Sequence, residues 1–275
     1  MKHPALNAGK VAVVTGAAMG IGLAACKHFA KTGLRVCAVD LPSEELDKAG
    51  RAIGELAASP SDVMVAPCDV SDAEALDALN AQVMATFGGT DLLMNNAVTR
   101  IGAGFWDDMA AWHRAVEVNL WGVINGVRAF VPAMIERGEP ACVVNVGSKQ
   151  GITNPPGNTV YNLCKAAIKS YTESLQHELR NTEGARVSAH LLIPGWTTTR
   201  NRPHQQGAWL PEQVVAKMID AIERRDFYIV CPDDEVSPAE DRRRILWAVG
   251  DIVENRPPLS RWHGSYGDAF ERFEA

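Results

Sequence analysis

A chain of 275 residues, 47% hydrophobic and 22% charged, can bury a full core and is neither fibrous nor disordered. A formal net charge of −6, with no basic run longer than the Arg242, Arg243 and Arg244 cluster, argues against a nucleic-acid partner. The start lacks a signal-peptide core, the apolar stretch 115–135 is broken by Glu117, Asn119, Asn125 and Arg128, and six scattered cysteines and seven scattered histidines show no metal-ligand spacing; a soluble cytoplasmic protein with no metal and no membrane partner is expected.

In chain order, short runs rich in Val, Ile and Leu alternate with stretches of helical period. Strands are predicted at 10–15, 35–40, 62–68, 91–94, 142–147, 186–193 and 227–231. Helices are predicted at 20–32, 43–58, 72–87, 107–137, 157–183 and 210–225, with Ser43 and Ser71 as N-caps. Such alternation implies βαβ units, and so an α/β fold: a Rossmann-like, doubly wound parallel sheet of about seven strands with helices on both faces. No linker or repeat divides the chain, so one domain is expected, its core at about 10–230 and an extension at 231–275. Within that extension a helix is predicted from 238 to about 255, then an irregular aromatic tail whose Trp262 and Tyr266 are expected to seal a subunit contact.

The first strand runs into T-G-A-A-M-G-I-G, placing Gly16, Gly20 and Gly22 at a strand-to-helix turn. Glycines there let the backbone approach a pyrophosphate, whose charge is met by free N–H groups and the positive end of the helix dipole. The spacing is G-x-x-x-G-x-G, which differs from the commoner G-x-G-x-x-G. Asp40 ends the second strand, 18 residues past Gly22. A carboxylate there accepts hydrogen bonds from ribose hydroxyls and repels a 2′-phosphate, which favours NAD over NADP.

Tyr161 and Lys165 stand at i and i+4 of a predicted helix and so share a face. Alone, such a pair is ordinarily a solvated helix surface. Its company in order carries more weight: the glycine turn, Asn119, and Ser148 at a strand end 13 residues before the tyrosine.

With T15-G-A-A-M-G-I-G22, N95-N-A97, Asn119, Ser148, Y161-N-L-C-K165, P194-G195 and Thr199, the chain over about 10–230 resembles the short-chain dehydrogenase/reductase family. The resemblance implies nicotinamide-dependent alcohol oxidation or carbonyl reduction by a homodimer or homotetramer. It makes Tyr161 the general acid/base, Lys165 its activator and ribose anchor, Ser148 the partner of the substrate oxygen, and Asn119 the holder of a relay water. By the same resemblance the cofactor is held by Gly16, Met19, Gly20, Ile21, Gly22, Asp40, Leu41, Asp69, Val70, Asn96, Ala97, Pro194, Gly195, Thr197 and Thr199, with Asn95 also on the adenosine side. Two departures from the family pattern fall on the pocket: Val98 replaces the usual glycine after N-N-A, and Trp196 makes the segment after Pro194-Gly195 bulkier.

A phenol titrates near pH 10, and a cation at about 4 Å in a partly screened site is expected to lower that by on the order of three units. Tyr161 could then accept an alcohol proton as hydride departs to nicotinamide. Val98, Gln150, Asn154, Trp196 and Trp209 are candidate substrate contacts on loops at the carboxyl ends of the strands. The expected function is NAD-dependent oxidation of a secondary alcohol, or its reverse. An NADPH-dependent carbonyl reductase and a catalytically silent nucleotide-sensing protein are the alternatives.

Overall fold

The computed structural model describes residues 2–101, 104–199 and 203–274. Its seven strands are β1 (Val11–Thr15), β2 (Arg35–Asp40), β3 (Val63–Pro67), β4 (Leu92–Asn95), β5 (Ala141–Val146), β6 (Val187–Ile193) and β7 (Tyr228–Val230). Each falls where an apolar run predicts one. They form one sheet in the order β3-β2-β1-β4-β5-β6-β7, and every pairing is parallel. Parallel strands need crossovers, and the helices that supply them cover both faces.

The helices are α1 (Gly20–Lys31), α2 (Glu44–Gly54), α3 (Ala73–Phe87), α4 (Met109–Val116), α5 (Gly122–Glu136), α6 (Gln150–Thr153), α7 (Thr159–Asn181), α8 (Pro211–Arg224), α9 (Pro238–Val253) and α10 (Gly267–Glu271). Strand alternation sorts the core into two layers. Ala12 and Val14 of β1 point into the layer under α1, α2 and α8, while Val11 and Val13 point under α3, α5 and α7. Phe29 and Phe130, one in each layer, are fully buried, a contribution of about 2–3 kcal/mol apiece.

At the amino end of the sheet the buried Asp91 accepts Lys10 at 3.2 Å, Arg137 at 3.1 Å and the Val11 N–H at 2.9 Å. Its charge is thus fully matched far from the strands' carboxyl ends.

Three expectations are corrected. The predicted helix 107–137 is α4 and α5 joined by a π turn at Glu117–Trp121, because one extra residue in the turn leaves the apolar pattern continuous on both sides. Ser71 does not cap α3. Asp72 does, accepting the Ala75 N–H at 3.1 Å, while the Ser71 hydroxyl turns to Asp69. The predicted loop after Ser148 contains the short helix α6.

The 28-residue stretch Met109–Glu136 is long and apolar enough by composition to cross a membrane, yet 56% of its most apolar window is buried in the fold. All six cysteines are free and buried. In the extension, α9 and the tail pack through Trp247, whose ring meets Phe270 at 5.4 Å and Phe273 at 5.3 Å, both edge-on.

Candidate active site

Strand order reverses between β1 and β4, and outside the carboxyl ends of the strands there opens a cleft of about 980 Å³. The glycine turn forms one wall. Gly16 takes φ of +68°, open to glycine at little cost, and a Cβ on Gly22 would lie 2.1 Å from the Gly16 carbonyl oxygen. No side chain caps α1 at Met19, so its first-turn N–H groups are left to an anion. Gly16, Met19, Gly20 and Ile21 line the cleft, with Gly22 packed behind them. This tight, uncapped turn fits a dinucleotide pyrophosphate.

Asp40 is oriented from two sides: one carboxylate oxygen accepts the Ala18 N–H at 2.9 Å and the other the Leu41 N–H at 2.8 Å. Beside it lie Leu41, Asp69 and Val70. Burial raises the Asp69 pKa, but hydrogen bonds from Ser71 and from Arg114, 3.1 Å away, outweigh it and hold the carboxyl below its ordinary range. Asn96 ties β4 to the turn, donating to the Thr15 and Gly16 carbonyls at 2.9 and 3.1 Å. Ala97 lines the cleft next to it. Asn95 does not, since its amide turns into the core to meet Asn145 at 2.9 Å.

At the other end Ser148 follows β5, while Tyr161 and Lys165 project from the first turns of α7 into the same cleft. Lys165 is 3% exposed, its ammonium donating to the Val146 carbonyl at 2.7 Å and lying 5.6 Å from the Tyr161 ring centre. Burial lowers its pKa to about 8. Burial also raises the Tyr161 phenol above its ordinary value, while Ser148 and the Arg100 guanidinium pull it back. The expected lowering by Lys165 is therefore corrected: its charge is turned to a main-chain carbonyl, and desolvation dominates the phenol.

Asn119 sits in the π turn, 1% exposed and outside the lining. Its carboxamide accepts the Thr99 N–H at 2.7 Å and donates to the Thr99 carbonyl at 2.9 Å. Each end of the carboxamide thus makes one bond to Thr99 and keeps one further donor or acceptor position.

Val98, Gln150 and Trp196 line the cleft, as do Pro194, Gly195, Thr197 and Thr199. Asn154 and Trp209 lie outside it, a second correction. Asn154 ends α6 in a left-handed conformation and accepts Asn162 at 3.0 Å, while the Trp209 indole donates to Asp234 at 3.1 Å and its ring packs on the α1/α8 layer.

Sequence reasoning missed Arg100, Arg114 and Lys149. Lys149, next to Ser148, is held by Asp233 at 3.2 Å and Asp241 at 2.6 Å, and Asp233 also accepts the Trp196 N–H at 3.0 Å. No local spacing announces such partners, which lie dozens of residues away.

A family model described as short chain dehydrogenase matches residues 10–207. The chain is 30% identical over 267 residues to the 1-deoxy-11-beta-hydroxypentalenate dehydrogenase of Streptomyces exfoliatus, covering 92% of this chain and 94% of that one. A short-chain dehydrogenase/reductase from Burkholderia phymatum in complex with NAD superposes with a TM-score of 0.82 at 29% identity, covering 91% and 96% of the two chains. A metagenomic short-chain oxidoreductase in complex with NADP gives 0.69 at 26%, covering 82% and 98%.

Proposed function

The chain belongs to the short-chain dehydrogenase family, and from that premise we propose that it is an NAD-dependent dehydrogenase of secondary alcohols, working reversibly with the corresponding ketones. The observation that carries this reading is the convergence of Ser148, Tyr161 and Lys165 with the uncapped glycine turn in one cleft. The nicotinamide cofactor, when bound, supplies the hydride acceptor. The glycine turn, Asp40, Asp69 and the 194–199 segment hold it. Ser148 positions the carbinol oxygen, and Tyr161 takes the hydroxyl proton. In the reverse direction Tyr161 returns that proton to the developing alkoxide. Lys165 anchors the ribose and keeps a positive charge near the phenol.

Asp40 supports NAD, because its fixed carboxylate opposes a second negative charge on the adenosine ribose. The NADP complex of one structural relative favours the alternative, an NADPH-dependent carbonyl reductase. Measuring kcat/KM with each cofactor over a panel of secondary alcohols and ketones separates the two. A strong preference for NADPH overturns the Asp40 argument, and nucleotide binding with no hydride transfer to or from any of them overturns the dehydrogenase.

We further read the chain as one cytoplasmic domain with residues 231–275 appended, assembling as a homodimer or homotetramer. Its sedimentation tests the assembly.

A further inference from the structure

Four basic side chains besides the glycine turn face the cleft: Arg100, Arg114, Lys149 and Lys165. Two are matched by carboxylates, and a third, the buried Lys165, is held by a main-chain oxygen. Arg114 pairs with Asp69 at 3.1 Å, Lys149 with Asp233 and Asp241, and Lys165 with the Val146 carbonyl. Arg100 has no carboxylate partner among the described residues, although it lines the same cavity as Ser148 and Tyr161.

Its placement is built. Asn119 grips the N–H and the carbonyl of Thr99, so the residue that precedes Arg100 is fixed by two hydrogen bonds from a fully buried side chain. Arg100 is solvent-exposed on the lining that it shares with Ser148 and Tyr161, and its charge acts on both Tyr161 and Lys165. The cleft's own carboxylates, Asp40 and Asp69, stand at the carboxyl ends of β2 and β3, three and four strands along the sheet from β5 and Ser148. A molecule brought between Ser148 and Tyr161 therefore meets an unmatched cation and, on the same lining, the half-exposed apolar side chains Val98 and Trp196. A guanidinium presents parallel donors that match a carboxylate in both charge and shape.

We propose that Arg100 is the anion-binding residue of the substrate pocket and that the substrate is a hydroxy acid, a largely apolar secondary alcohol carrying a carboxylate. This rests on the dehydrogenase reading above. The carboxylate is a spectator: the carbinol gives its O–H proton to Tyr161 and its C–H hydride to the oxidised nicotinamide, becoming a ketone, and the acid stays ionised throughout.

The test uses three probes of one shape, 4-(1-hydroxyethyl)benzoate, its methyl ester and 1-phenylethanol, with the wild type, Arg100→Gln and Arg100→Lys. In the wild type, kcat/KM for the acid exceeds that for the ester by about tenfold or more, mainly through KM. Arg100→Gln brings that ratio close to one, and Arg100→Lys keeps part of it. Calorimetric binding of 4-acetylbenzoate and its methyl ester to the protein–NADH complex gives the same ranking without turnover. Equal handling of acid and ester, or an acid preference that survives Arg100→Gln, overturns the inference while the dehydrogenase stands. Failure of every probe to turn over or bind overturns the inference too. The cofactor panel above then judges the dehydrogenase separately.

Discussion

The Lys165 ammonium is bonded to the carbonyl of Val146, the last residue of β5, at 2.7 Å, and not to the phenol one turn before it on α7. The strand end thus holds the cation while the helix holds the phenol. A buried amine in that position weighs on the fold. Its pKa falls from 10.5 to about 8 on folding, so between those values the unfolded chain binds the proton that the folded chain does not. Stability consequently rises as pH climbs from about 8 to 10.5, and the penalty is complete below about 8. Lys165→Met is expected to lose that slope, a difference of about 3 kcal/mol in denaturant unfolding compared at pH 7 and pH 10, and to lower kcat by on the order of a hundredfold. An unchanged slope contradicts the buried charge.

Replacing the phenol separates binding from proton transfer. Tyr161→Phe should lower kcat by roughly 10²–10⁴ while the dissociation constant for NAD, read by fluorescence titration, moves less than about threefold. A loss confined to cofactor affinity would make Tyr161 a wall of the cleft.

The pH profile of alcohol oxidation reports the phenol. Burial lifts its pKa and Ser148 works against that lift, so Ser148→Ala should move the alkaline rise of kcat/KM to higher pH, along with a fall in its plateau. A shift to lower pH would mean that Ser148 does not favour the phenolate.

Asp40 is expected to set the cofactor ratio. Asp40→Asn keeps an oxygen for the Ala18 or Leu41 N–H but removes the charge, and should raise the NADP/NAD ratio of kcat/KM by about tenfold, equivalent to ~1.4 kcal/mol. A constant ratio would move the discrimination elsewhere in the cleft.

The Lys149 cluster responds unequally to its members. Removing the cation in Lys149→Met leaves the carboxylates of Asp233 and Asp241, 4% and 7% exposed, facing each other unmatched; a loss of about 3–5 kcal/mol is expected in thermal or denaturant unfolding. Asp241→Asn leaves a neutralised pair and should cost about 1 kcal/mol or less. The reverse order of the two variants would contradict the charge account.

The sheet was legible because its inner strands, buried on both faces, are short runs of small and branched apolar residues bounded by turn-formers; β5, Ala141–Val146, is buried along its whole length, and the edge strands β3 and β7 are partly exposed. The π turn was not, since Glu117–Trp121 adds a residue without breaking the apolar stripe. Within the cleft, the glycine turn and the Tyr161–Lys165 pair are written as local spacings. The Asp69–Arg114 and Lys149–Asp241 pairs are not, being made by packing between distant segments. The same holds for the direction of the Lys165 ammonium: spacing places it on the face of Tyr161, but the reach of a four-carbon stem lets a strand carbonyl claim it.

Asp233 and Asp241 lie beyond the 10–207 stretch that the family model spans, yet both clasp the neighbour of Ser148. A protease nick in the 234–237 turn would cut the chain between the two carboxylates and is expected to loosen their hold on Lys149. The segment after β7 thus reaches back to brace the wall of the cleft beside Ser148.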